Sequence, residues 1–185
     1  MRRIVHPVLE DIPAIKKLFG RVELDMQYNG FDDSAINLFA SKNLEELIAS
    51  KPLYIEKDGA KVLGLLETTH FYKDELLGEE AKQSAGFALL DEFGYKGENV
   101  LAFPCFFVDP MWMGKGLAKE FFQGVLAQYR ETSFLLQVDS NNLRAIAFFK
   151  KVGFFDLGAG KLKNPESRFL VKPYVPQGLC RNAFW

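Results

Sequence analysis

The order of apolar segments between residues 100 and 154 constrains this chain more than any other feature. VLAFPCFFV (100–108) is continuously apolar, the pattern of a buried strand. It runs through Asp109-Pro110 and Gly114-Lys115-Gly116 into residues 116–130, where Leu117, Phe121, Val125 and Tyr129 recur at helical spacing. FLLQV (134–138) reads as a second strand, NNLRAIAFFKKV (141–152) as a second helix, and Gly153 as its stop. Strand, helix, strand, helix at this spacing implies neighbouring parallel strands joined by a crossover helix.

The first half has a different character. Residues 3–9 read as a strand, and Asp11 as the N-cap of a helix whose apolar face is Ile12, Ile15, Leu18, Phe19 and Val22. Asp33 or Ser34, then Asn43, read as successive caps of one broken helix or two short ones, with Ile36, Phe39, Leu44, Leu47 and Ile48 facing inward. LYIEKDGAKVLGLLETTHF (53–71) predicts an antiparallel hairpin turning at Asp58-Gly59. Residues 73–99 are polar, glycine-spaced and weakly periodic, and read as a short helix inside a long loop of the kind that often carries function. The tail adds two further strands, roughly 154–158 and 168–175, until Pro173 and Pro176 disrupt the pattern. Hairpin and parallel pairs together predict an α/β domain with a mixed sheet, one domain over residues 1–185.

The charges narrow the partners. Lysine and arginine (23) nearly cancel aspartate and glutamate (24), so no net field draws the chain to nucleic acid or to an anionic membrane. The apolar runs after Arg2-Arg3 are too broken for a signal peptide, and no window is long enough to span a bilayer. Cys105, in an apolar run, and Cys180, near the end, do not make a disulfide scaffold; the cytoplasm is the expected compartment.

A strand, a glycine loop and a helix N-terminus form a ready anion site, because the first helical N–H groups lack internal partners and carry partial positive charge. The mononucleotide template Gly-x-x-x-x-Gly-Lys-Ser/Thr fails twice here: Asp109 replaces the first glycine and Gly116 follows Lys115. The dinucleotide template Gly-x-Gly-x-x-Gly finds Gly114 and Gly116 but meets Lys119 at the third glycine. Asp139, after the next strand, stands where a ribose-binding acid would fall and keeps that alternative open.

Val108-Asp109-Pro110, Trp112, Met113, Gly116 and Ala118 resemble the acyl-CoA-binding motif of the GNAT superfamily of N-acetyltransferases. Its pattern is Val-x-Pro, an aromatic, then Arg/Gln-x-x-Gly-x-Gly/Ala. Val138, Asn142, Ala145, Lys151, Gly153 and Phe154 match a second segment of that family. The resemblance covers about residues 100–155. It implies the GNAT acyl-CoA N-acyltransferase fold, a central mixed six- to seven-stranded sheet flanked by about four helices. It also implies an acetyltransferase that moves an acetyl group from acetyl-CoA to a primary amine by direct attack in a ternary complex, with no metal.

On that resemblance the CoA pyrophosphate rests on backbone N–H groups of Met113, Gly114, Lys115, Gly116, Leu117 and Ala118, with Lys115 adding a cation. The pantetheine arm pairs with the backbone of Phe106, Phe107 and Val108, while Asn142 holds its amide and Phe149 lines the same site. The family's strand bulges and opens a slot for acyl-CoA, so an irregularity is expected at Phe103–Cys105, around Pro104, which cannot donate to a ladder. Met113 departs from the family's polar residue. Phe149 replaces the tyrosine that protonates the departing thiolate, a loss worth roughly 10²–10⁴-fold.

The base is open among Glu67, His70 and Asp139, whose alternative readings are an exposed strand carboxylate, a surface loop residue and a turn acid. Cys105 reads as a small buried hydrophobe. Most of the 18 phenylalanines fit core positions, and strand alternation turns some of Phe103, Phe106 and Phe107 toward the slot as an apolar wall. The acceptor is a small-molecule or peptide amine. The apolar terminus AFW (183–185) suits docking on a second subunit, as a homodimer, or on its own core.

Overall fold

The computed structural model describes residues 1–30, 36, 40, 43–50, 52–71, 100–129, 131–159 and 167–172. Asp33, Ser34, Phe39, the 73–99 segment, Pro173, Pro176, Cys180 and the AFW terminus lie outside these residues. The described elements are β1 (Arg2–Val5), α1 (Ile12–Tyr28), α2 (Leu44–Ser50), β2 (Leu53–Asp58), β3 (Lys61–Phe71) and β4 (Val100–Val108), then α3 (Leu117–Leu126), β5 (Ser133–Asp139), α4 (Leu143–Lys151), β6 (Phe155–Ala159) and β7 (Ser167–Lys172). Short 3-10 turns occupy Leu9–Asp11 and Pro110–Trp112.

The strands form a seven-stranded sheet in the order β1-β2-β3-β4-β5-β7-β6. β4 and β5 are parallel, whereas β1–β2, β2–β3, β5–β7 and β6–β7 are antiparallel. Among the described residues this is the mixed sheet with four named helices that the resemblance implies, and not the parallel doubly wound sheet of a dinucleotide-binding fold. Two compact units divide the chain, residues 1–69 with 103–128 and residues 70–102 with 129–185.

In the first unit, β1 ends at Val5, short of the expected Val8-Leu9, because Pro7 has no N–H for the ladder. Asp11 does precede α1 but does not cap it through its side chain. Its Oδ2 instead accepts from the Val8 N–H at 3.1 Å while its own N–H donates to the Val8 carbonyl at 2.9 Å, closing the 3-10 turn upon itself. Lys57 also donates to Asp11. Asn43 is the expected cap, accepting from the Glu45 N–H at 3.1 Å.

The β2–β3 hairpin pairs Asp58 with Lys61, so Gly59 and Ala60 form a two-residue loop, with Gly59 at φ 58°. A bulge beside Glu56/Lys57 leaves Leu63 without an opposite partner, and its carbonyl accepts the Asp109 N–H at 2.7 Å. Ile15, Leu18, Phe19 and Val22 of α1 pack with Ile36, with Leu44 and Leu47 of α2, and with Leu53, Ile55, Val62, Leu65, Cys105 and Phe107 of the strands. Helix α3 is shorter than predicted and ends at Leu126, so Tyr129 is not on it. Leu117, Phe121, Phe122 and Val125 are its fully buried face. Gly64 lets Phe121 approach β3: a Cβ there would lie 2.8 Å from the Phe121 ring.

β4 carries the expected irregularity. Phe103 packs edge-on against Phe122 of α3 at 5.1 Å and Phe106 lies tilted against the same ring at 5.2 Å, whereas Cys105 and Phe107 join the α1 cluster. Residues 103 and 105 of a regular strand share a face. Their parting means that the pleat slips by one residue at Pro104, the signature of a bulge. The registered β4–β5 ladder covers Val100–Ala102 against Ser133–Leu135 and ends one residue before Phe103.

In the second unit, Tyr129 packs edge-on against Phe134 at 6.3 Å. Val100, Leu135 and Val171 form a small buried cluster with Phe169 against it. Helix α4 ends as predicted at Gly153, whose φ is 96°. The Gly153 N–H donates to the Lys150 carbonyl at 3.1 Å and the Phe154 N–H to Phe149 at 3.0 Å, the paired bonds of a Schellman motif.

Candidate functional site

Between the end of β4 and the start of α3 the backbone reverses around one carboxylate. Asp109 is fully buried. Its Oδ1 accepts from the Met111 N–H at 3.1 Å and its carbonyl from the Trp112 N–H at 2.9 Å, which fixes the 3-10 turn entered at Pro110. Its Oδ2 lies 2.9 Å from Lys61 Nζ and 3.1 Å from Arg21 Nε, two ion pairs brought by β3 and α1. Burial alone would raise this carboxyl. Lys61, the Met111 N–H and Arg21 outweigh burial and hold it below its ordinary value. The sequence reading missed this anchor; its signals were an acid ending an apolar strand and Arg21 between the core positions Leu18 and Val22.

Beyond the turn, Gly114 and Gly116 adopt φ of 73° and 83°, a left-handed backbone in which glycine avoids the Cβ penalty. Not all six N–H groups of the expected cradle are available. Met113 donates to the Pro110 carbonyl at 3.0 Å and Lys115 to Trp112 at 3.1 Å. The N–H groups of Gly114, Gly116, Leu117 and Ala118 find no acceptor among the described residues, and the last two open α3 at its positive end. Leu117 contributes backbone alone, since its side chain is fully buried. Lys115 folds back, its Nζ donating to the Met111 carbonyl at 2.9 Å and lying 5.7 Å from the centre of the Trp112 ring. The exposed Met113 side chain offers no polar group.

A second charge cluster borders the turn. Arg2 of β1 donates to Glu120 of α3, lies 3.7 Å from Glu56 Oε1 and stands 5.4 Å from the centre of the Trp112 ring. Glu56 is nearly buried. Burial raises its carboxyl, Arg2 works against that, and Glu120 adds to it.

Phe106, Phe107 and Val108 occupy the last three residues of β4, and the phenylalanine rings of this strand pack on neighbouring helices. Phe103 and Phe106 are claimed by Phe122, Phe106 also by Phe121, and Phe107 by Phe19. Glu67 is fully buried, not exposed on its strand; Cys105 Sγ lies 3.8 Å from its Oε2. His70 belongs to β3 by its backbone, not to a surface loop.

In the second unit, Asp139 is a turn acid, its Oδ1 accepting from the Asn141 N–H at 2.7 Å. Asn142 caps α4, its Oδ1 accepting from the Ala145 N–H at 3.0 Å, which leaves its amide N–H₂ as the donor side. Phe149 is buried between Phe148 and Phe154, with ring centres 5.1 and 5.6 Å away. Among the described residues no three His, Cys, Asp or Glu side chains gather as a metal site, and no helix is long and apolar enough to cross a membrane.

The fold is similar to that of a GNAT-family acetyltransferase from Streptococcus agalactiae, with a TM-score of 0.71 and 14% identity over 94% of this chain and 96% of that one. It is also similar to a PaiA N-acetyltransferase from Thermoplasma acidophilum in complex with coenzyme A, with a TM-score of 0.65 and 14% identity over 94% and 99% of the two chains. A third similar structure is a GNAT-family acetyltransferase from Brucella melitensis in complex with acetyl-CoA, with a TM-score of 0.57 and 12% identity over 95% and 90%. No curated protein matches the chain in sequence. The acetyltransferase (GNAT) family model matches residues 23–154, from the middle of α1 through the turn after α4, and the chain therefore belongs to that family of acyltransferases.

Proposed function

We propose that the protein transfers an acetyl group from acetyl-CoA to a primary amine by direct attack in a ternary complex. The observation that carries this reading is the braced turn after β4, where Asp109 holds the backbone so that the Gly114, Gly116, Leu117 and Ala118 N–H groups are unspent at the positive end of α3. Such a cradle suits a pyrophosphate. Acetyl-CoA supplies the thioester; the chain binds it, orients it and takes up the amine proton. The Asn142 amide donors suit a carbonyl of the pantetheine arm.

Glu67 is our candidate for the group that accepts the amine proton. Asp139 has one oxygen committed to its turn, whereas the Glu67 carboxylate is held in the interior, where acid and base groups of catalytic sites tend to occur. The resulting bond is an amide; the C–S bond breaks and the sulfur leaves as thiolate or thiol. Phe149 offers no proton, and a thiol of pKa about 8.5 leaves tolerably without one.

A thermal-shift comparison of acetyl-CoA, CoA, NAD and ATP, followed by a thiol-release screen across amines, tests the proposal. Stabilisation by acetyl-CoA and CoA alone, with release above background for at least one primary amine, is expected. Binding without release from any amine would make the chain a CoA-binding module, and stabilisation by NAD alone would overturn the donor assignment.

A further inference from the structure

Glu120 stands in an electrostatically awkward place. It lies in the first turn of α3, and its Oε1 is 3.6 Å from where a Cβ on Gly116 would be, beside the unspent N–H groups. Alone, an acid in the first turn favours the helix, because it meets the positive end of the macrodipole. At an anion cradle the same charge competes with the ligand for that positive end and repels it through space.

One side chain addresses this charge directly. The Arg2 guanidinium donates to Glu120 Oε2, lies 3.7 Å from the nearly buried Glu56, and is placed over Trp112 at 5.4 Å, the aromatic of the loop itself. Three contacts from different elements fix its plane, which a lone surface ion pair does not achieve. Lys115 is the other cation on Trp112 and is committed to the Met111 carbonyl.

We propose that Arg2 is a positioning residue of the anion cradle: it neutralises Glu120 and holds it aside, so that the Gly114–Ala118 backbone meets an incoming pyrophosphate without a competing negative charge. The inference rests on the acetyl-CoA reading and adds a specific dependence of donor affinity on a pair outside the glycine loop. If masking is the role of Arg2, the harm done by removing it requires Glu120 to be charged.

Calorimetric titration of CoA into the full chain and into its Arg2→Gln, Glu120→Gln and doubly substituted variants, at low and high salt, tests this. Arg2→Gln is expected to weaken CoA about tenfold at low salt and by less than about threefold at high salt, because exposed charges are screened there. Glu120→Gln is expected to tighten CoA by about threefold, a gain that misfolding cannot produce. The double variant is expected to bind at least as tightly as the unsubstituted protein. Unchanged affinity in Arg2→Gln, or a double variant as weak as Arg2→Gln alone, would overturn the masking role while leaving the acetyl-CoA reading intact. Absence of CoA binding by the unsubstituted protein would overturn that reading and this inference together.

Discussion

Arg21 Nε stands 3.1 Å from Oδ2 of Asp109, so the middle of α1 is tied to the turn that launches α3. Lys61 completes the tie at 2.9 Å from the first residue of β3. A loop that must present backbone N–H groups in a fixed direction gains from such bracing, because a displaced donor loses most of its hydrogen bond. Asp109→Asn can still accept from the Met111 N–H but releases both cations. We expect the KM for acetyl-CoA to rise about tenfold with the KM for the amine little changed, and the fold to lose about 1–2 kcal/mol, less than for a sealed ion pair because both cations reach solvent. Steady-state kinetics with each substrate varied, alongside urea unfolding, checks both.

The same carboxylate predicts an acid limb. Its folded pKa lies below the ordinary value of 3.8, with burial opposed and outweighed by Lys61, the Met111 N–H and Arg21. Below its unfolded pKa the unfolded chain therefore binds the proton first. The stabilisation is present above 3.8 and is lost as pH falls through the lowered folded value. Urea midpoints measured from pH 6 to 2 should show Asp109→Asn losing its disadvantage relative to the unsubstituted protein across that window. A constant gap throughout would mean that the carboxylate charge is not what braces the turn.

The elements and their order were legible in the sequence because periodicity reports burial, and burial drives these segments. The hairpin turning beside Asp58-Gly59, the β4–α3–β5–α4 succession and the Gly153 stop are all local patterns, and each formed. The ends of elements were less legible. Tyr129 keeps helical spacing with Val125, yet it packs on Phe134 of the following strand, a tertiary contact that spacing cannot show. The anchor of the loop was invisible for the same reason: Arg21, Lys61 and Asp109 are far apart in sequence and meet only through the fold. Along β4, Phe103 and Phe106 reach the same helix, a contact that alternation alone does not show.

Glu67 separates a chemical role from a structural one. It is fully buried beside Cys105, so glutamine, of nearly equal volume, preserves the packing and removes the base. If Glu67 takes the amine proton, Glu67→Gln lowers kcat roughly 10²-fold with the KM for acetyl-CoA little changed. Asp139→Asn should leave kcat near normal, because the Asp139 Oδ1 serves the turn before α4. The reverse pattern would transfer the role to Asp139.

Gly153 tests the close of α4. Its φ of 96° lies where an L side chain is strained, and a Cβ would come within 2.5 Å of Lys172 Nζ. The lysine tip can move, although it would give up its 2.9 Å bond to the Val152 carbonyl; the backbone strain remains. Gly153→Ala should therefore cost about 1–2 kcal/mol, read as a fall of several degrees in Tm. Gly153→Asn, better tolerated in the left-handed region, should cost less.

On the motif resemblance, Phe149 stands where the family has its proton-donating tyrosine, and its surroundings predict what introducing a tyrosine there would do. The ring is 7% exposed and packs edge-on against Phe148 and against Phe154, three residues past the end of α4. That contact is the apolar seal of the Schellman motif, whose Phe154 N–H donates to the Phe149 carbonyl. Phe149→Tyr adds a hydroxyl to this apolar seal. An unpaired hydroxyl there costs about 1–3 kcal/mol, so Tm should fall. Turnover with the best amine should stay within about threefold, because a thiolate of pKa near 8.5 can depart without a positioned acid. Phe149→Leu, which keeps the seal apolar, should retain turnover to a similar degree. A rise in kcat of roughly 10²-fold in Phe149→Tyr, with a new basic limb in the pH–rate profile, would show instead that the ring edge reaches the departing sulfur and that unassisted departure limits this enzyme.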